Sequence, residues 1–202
     1  MPTTVLQLLQ SANLTLTGQV RWGEKVPSQS AGVYVVSLSA DPTSNAGIRE
    51  NAPLSLERVQ FWIKRAPTIE LDGARNPKPE EITNRLSRFW LPDENIVYIG
   101  MTTAKLADRV GQYYTTKLGD RRPHAGGHWI KTLSNLDELY VYCTECSMPN
   151  KVEGKMMETF KSGVSEATLS RLWDQDNPFP FANLEYPRGH RKKHGIGKSK
   201  RK

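Results

Sequence analysis

A carboxylate on an apolar helix face is the first residue of chemical interest in this chain. Across residues 151–164, KVEGKMMETFKSGV, a helical repeat of about 100° per residue puts Glu153 within the arc of Val152, Met156, Met157, Phe160 and Val164. Burying that carboxylate is costly unless something partners it, and a cation in a cleft would do so. Glu158, about 140° further round beside Lys155 and Lys161, is the alternative, and a position that simply reaches solvent is the ordinary reading of a glutamate. Cys143 and Cys146 form a CTEC pair, but a structural zinc site takes four ligands and no second such pair exists. His124, His128, His190 and His194 would have to complete it, and a buried free thiol after the strand-like LYVY is the simpler reading of Cys143. Phosphate is the third target. Arg188, Arg191, Lys192, Lys193, Lys198, Lys200, Arg201 and Lys202 follow Glu185 without an acid, and taking these eight from the net charge of +7 leaves the rest at −1. Such a run suits phosphate contacts through counterion release, or else a solvated, disordered tail.

The elements that must position these groups are legible from periodicity and punctuation. Residues 31–40, AGVYVVSLSA, are rich in β-branched side chains and lie between turn signals, which reads as a strand. Residues 95–102, NIVYIGMT, read as a second strand, ended by Gly100 and a Thr pair able to cap the next helix. In that helix, AKLADRVGQYY, Leu106, Val110 and Tyr113 share one face. A third strand is expected over 138–145, and Pro149 and Asn150 open the helix that carries Glu153. Another helix follows Ser165, then a proline-rich loop that forbids regular structure over much of its length. Two helices, 54–65 and 79–90, lie in an insertion between the first two strands. With 202 residues, 37% hydrophobic, and no apolar run of membrane length, neither a transmembrane segment nor a secretory signal is expected, and a cytoplasmic protein is the default.

Gly32-Val33-Tyr34 and Tyr98-Ile99-Gly100, with Leu106, Arg109 nine residues past Gly100 and Tyr113 one turn later, make a specific set. Together they resemble the GIY-YIG nuclease family. Val152-Glu153-Gly154-Lys155-Met156-Met157 also looks like that family's apolar-Glu-x-x-apolar-apolar pattern, and Asn183 is the best match to its terminal Asn, with Asn177 and Asn150 as alternatives. The resemblance covers residues 30–40 and 95–185. It departs from the minimal pattern in one respect: Tyr34 and Tyr98 are 64 residues apart. A long excursion between paired strands is permissible, because each doubling of loop length costs only ~0.6 kcal/mol.

The fold so implied is α+β, a small three-stranded antiparallel sheet flanked by helices. An N-terminal helix and extension (1–30) would precede the nuclease-like domain (31–186, with 41–94 inserted), and a disordered basic tail (187–202) would end it. The resemblance also implies phosphodiester hydrolysis of DNA with Mg²⁺ or Mn²⁺. Glu153 would be the cation's only protein ligand, which suits an ion that keeps several waters. Arg109 would hold the scissile phosphate through paired donors. Tyr34 would act as general base, Tyr98 would position water or phosphate, and Tyr113 would support the phosphate or relay a proton. DNA would be held by the cleft and the basic tail. Arg121, Arg122, His124, His128 and the Gly126-Gly127 pair would touch DNA, or His128 would pack against the helix that follows. One site nicks one strand, so cutting both takes a homodimer or two sequential events. A non-catalytic nucleic-acid-binding module on the same fold is the alternative function.

Overall fold

The GVYVVS run is buried at every position and forms β2 (Gly32–Ser37), an inner strand of an antiparallel sheet. The computed structural model describes residues 2–120 and 127–198. The sheet has four strands, in the order β1 (Gly18–Arg21), β6 (Tyr140–Glu145), β2 and β5 (Ile96–Thr102). Successive side chains of a strand point to opposite faces. Val33, Val35 and Ile99 therefore meet α1 (Val5–Ser11) and α5 (Pro149–Gly163) on one side, through Leu8, Met156 and Phe160. Tyr34, Val36 and Tyr98 lie on the other, with Leu106, Val110 and Tyr113 of α4 (Leu106–Thr115).

The expected three-stranded sheet is one strand short. β1 arises within residues 1–30 and pairs with β6 from Gly18↔Cys143 to Arg21↔Tyr140. In its GQVR sequence Gly18 and Val20 are half-buried while Gln19 and Arg21 are exposed, so cross-strand pairing rather than local propensity makes it a strand.

Residues 41–94 connect β2 to β5, and the two strands pair directly with Tyr34↔Gly100, Val35↔Ile99 and Val36↔Tyr98. Ser55 caps α2 (Leu56–Arg65) by accepting the Arg58 N–H at 3.2 Å. Pro79 opens α3 (Pro79–Ser87), where a missing N–H costs nothing. Between them lies a hairpin, β3 (Ile69–Leu71) and β4 (Ala74–Arg75), that periodicity does not announce. Val59, Trp62, Ile82 and Leu86 of the two helices join the core on the tyrosine-bearing face. The segment that connects β2 to β5 is thus part of the main core.

The tail, expected to be disordered from residue 187, is built into the fold as far as residue 198. After α6 (Glu166–Arg171) and the proline-rich loop, β7 (Ile196–Lys198) pairs with β3 to complete a second sheet ordered β4-β3-β7. Ile196 is a buried anchor, and Lys192 is only 4% exposed. Its Nζ donates to the Pro180 and Phe181 carbonyls at 2.9 and 3.1 Å, and it lies over the Phe89 and Trp129 rings. Arg191 pairs with Glu185 and Lys193 with Asp176. Lys192, at least, is withdrawn from any outside partner. Arg121, Arg122, His124 and Gly126 lie outside the described residues. Among the described residues, no helix is long and apolar enough to cross a membrane.

Candidate active site

Pairing of β2 with β5 sets Tyr34 opposite Gly100, with Tyr98 two residues away on the same face of β5. Gly100 is there for steric reasons. A Cβ at this position would stand 2.5 Å from Tyr98 Cε1, 2.8 Å from Tyr34 Cζ and 2.9 Å from the Tyr34 hydroxyl. Only glycine lets both phenol rings occupy the space over the strand. Gly32, at the start of β2, is likewise closed to a side chain, because a Cβ would collide with the Thr144 carbonyl and Leu106.

Backbone contacts dock α4 against this pair of strands. The Leu106 and Ala107 N–H groups donate to the carbonyls of Ser30 and Ser28 at 2.9 and 3.0 Å. These carbonyls cap the helix in place of the expected Thr pair; Thr102 instead closes a turn by accepting the Ala104 N–H at 3.0 Å. The docking ties the helix to the chain just before Gly32, and Tyr113 comes to rest against the two strand tyrosines, nearer Tyr98 than Tyr34. Ring centroids are 5.0 Å apart for Tyr98 and Tyr113, 5.7 Å for Tyr34 and Tyr98, and 6.3 Å for Tyr34 and Tyr113.

Half-buried Arg109 lies one turn before Tyr113, and its charge acts on all three phenols and on Glu153. Burial pushes Tyr34 and Tyr113 well above the ordinary phenol range, against the pull of Arg109. Tyr98 is raised less. Burial again dominates there, but coupling to the Tyr34 hydroxyl lowers it, whereas the same coupling raises Tyr34.

Glu153 lies on α5, which packs on the opposite face of the sheet, and its charge reaches Tyr98 and Arg109. Met156, Met157 and Phe160 bury one side of α5, and Glu153 flanks that side and raises the Tyr98 phenol electrostatically. Burial pushes its carboxyl up to about 7, with Arg109 pulling the other way. Among the described residues it makes no hydrogen bond or ion pair. Glu158 is exposed and pairs with Lys161 at 3.5 Å, on the solvent side of the helix. Also among the described residues, no three His, Cys, Asp or Glu side chains gather. A cation here would therefore have Glu153 as its one carboxylate, and an unpartnered, half-buried acid fits that role.

Asn183 does something other than face the cleft. Its Nδ2 donates to the Ile99 carbonyl at 2.7 Å and its Oδ1 accepts the Ile99 N–H at 2.9 Å. β5 is an edge strand, and this amide pairs with its open side at the centre of Tyr98-Ile99-Gly100. Ala182 adds an N–H to the Val97 carbonyl at 2.8 Å. Asn183 is therefore a positioning residue for the strand that carries Tyr98. Asn177 holds Asp174, and Asn150 is exposed at the start of α5. His128 packs against Trp62 and accepts the Gly119 N–H at 3.4 Å, away from the tyrosines. Cys143 is a buried thiol, pushed up to about 11 by its surroundings, burial first.

Sequence reasoning passes over Tyr186. Its hydroxyl packs on Gly154, where a Cβ would stand 2.7 Å away, and it feels the charges of Glu158 and Glu153. No spacing rule marks it, because it reaches the rim from the loop after Asn183. Comparison with protein-family models, with curated proteins and with solved structures yields no match.

Proposed function

We propose that the chain is a divalent-metal-dependent DNA endonuclease with a site of the GIY-YIG kind. The observation that carries this reading is the grouping of three phenols, one guanidinium and one carboxylate that has no hydrogen-bond or ion-pair partner among the described residues, drawn from β2, β5, α4 and α5. Structural tyrosines alone would explain a packed aromatic cluster. They would not explain Arg109 and Glu153 sharing it without an ion pair between them.

Each group then has a distinct task. Arg109 binds the scissile phosphate, its planar donors matching two oxygens at once. Glu153 holds Mg²⁺ or Mn²⁺, which when bound supplies a Lewis acid for the phosphate and the leaving oxygen. Tyr34 is the candidate general base for the attacking water, and Tyr98 positions water or phosphate beside it. Tyr113 walls the phosphate position and excludes bulk water. Asn183 keeps Tyr98 in register by holding the Ile99 backbone.

Incubating the protein with supercoiled, linear, branched and single-stranded DNA, with and without Mg²⁺, tests the proposal. The expected result is metal-dependent nicking or cutting, reduced at least about 10²-fold by Arg109→Ala and by Glu153→Ala. Wild-type protein that binds DNA but leaves every substrate intact across metals and pH would refute it, and would point to a binding module instead.

A further inference from the structure

The inserted α2 and the C-terminal end of α4 enclose an open groove of about 490 Å³. Arg58 and Phe61 of α2 form one wall, Tyr114 and Thr116 the other, and Lys117 and Lys131 complete it. Among the described residues, three cations and one carboxylate, Glu57, thus line it. The nearby Asp120 is already paired with Arg65 at 2.6 Å.

Two features set this groove apart from an ordinary charged surface. Lys131 is only 6% exposed, and its ammonium donates to the Thr116 carbonyl near the end of α4. A helix C-terminus by itself repels anions; Lys131 cancels that repulsion and leaves further N–H donors for a ligand. Burial lowers its pKa to about 8, which still keeps it mostly charged at neutral pH. Phe61 is 47% exposed at the rim, a large apolar ring with the Arg65 guanidinium 5.7 Å from its centroid and the rest open to solvent. Cations with an exposed aromatic between them suit a nucleic-acid strand, whose phosphates take the charges and whose bases or sugars take the ring.

Position supports the same occupant. Thr116 follows Arg109 by seven residues, about 10 Å along the helix, or about three nucleotide steps at 3.4 Å each. We propose that this groove binds the phosphate backbone of the substrate strand next to the scissile phosphate, which makes the insertion a substrate-binding extension. The proposal rests on the nuclease reading for what the strand is, but its test does not depend on cleavage.

Binding of a labelled DNA strand and of the matching duplex to the Glu153→Gln protein is measured by anisotropy across a salt series, with and without Arg58→Gln/Lys117→Gln. Loss of two phosphate contacts should flatten the dependence of log affinity on log salt by about 1.4 on the single strand and about 1.8 on the duplex. Affinity at low salt should fall about tenfold or more. Lys117 is exposed, so Lys117→Gln alone provides the test should the double variant misfold, and should remove about half of that slope. Unchanged slope and affinity on both DNAs would overturn the groove while leaving any observed cleavage standing. A changed slope in a protein that cuts nothing would keep the groove and remove the nuclease. Poly-glutamate competing as well as an oligonucleotide of equal charge would also overturn the assignment to nucleic acid.

Discussion

Replacing Glu153 by Gln should remove activity and stabilise the protein at the same time. Burial holds the carboxyl at about 7 against an ordinary 4.5. At about 1.4 kcal/mol per pH unit, keeping it ionised in the folded chain costs about 3 kcal/mol more than in the unfolded one. Solvent at the mouth of the cleft reduces that to about 1.5–3 kcal/mol. The sign follows from proton counting. Between 4.5 and about 7 the folded state binds more protons than the unfolded state, so stability falls as pH rises through that window and stays reduced above it. Glutamine does not titrate. The variant should match the wild type near pH 4.5 and exceed it by about 1.5–3 kcal/mol near pH 8. Urea denaturation followed by tryptophan fluorescence measures this, since the chain has five tryptophans. Added Mg²⁺ at ten times its Kd should stabilise the wild type by about 1.4 kcal/mol and leave the variant unmoved. A gap that is the same at both pH values, or a variant less stable than the wild type at pH 8, would refute the burial argument.

Gly100→Ala drives a Cβ into the Tyr34 and Tyr98 rings; it should cost about 1–3 kcal/mol by overpacking and about 10²-fold in cleavage through misplacement of the phenols. Normal activity from that variant would contradict the steric account of the motif. Asn183→Ala leaves the Ile99 N–H and carbonyl without the amide that holds them, for a loss of about 1–3 kcal/mol in a melting experiment. An unchanged midpoint would mean that Asn183 does not position β5. Glu94 is 2% exposed and its carboxyl is pushed up to about 8, chiefly by burial. Wild type should therefore lose stability relative to Glu94→Gln as pH climbs from 4.5 to about 8, and parallel stability curves for the two would speak against it.

The amino-acid sequence by itself determined the elements that own their signal. The β-branched runs of β2, β5 and β6 and the apolar stripes of α4 and α5 carry their conformation in local pattern. Which acid flanks the apolar stripe of α5 is also local, since the helical angle separates Glu153 from Glu158. The tertiary structure decided what depends on partners distant in the chain. β1, β3, β4 and β7 are two to four residues each, too short for periodicity, and exist because another edge accepts their hydrogen bonds. Asn183 as a clamp on Ile99, Lys192 as an internal donor and Tyr186 at the rim belong to the same class. Charge and side-chain type can be read one residue at a time, but whether a polar group faces water, a partner or an unsatisfied backbone depends on what the fold brings against it.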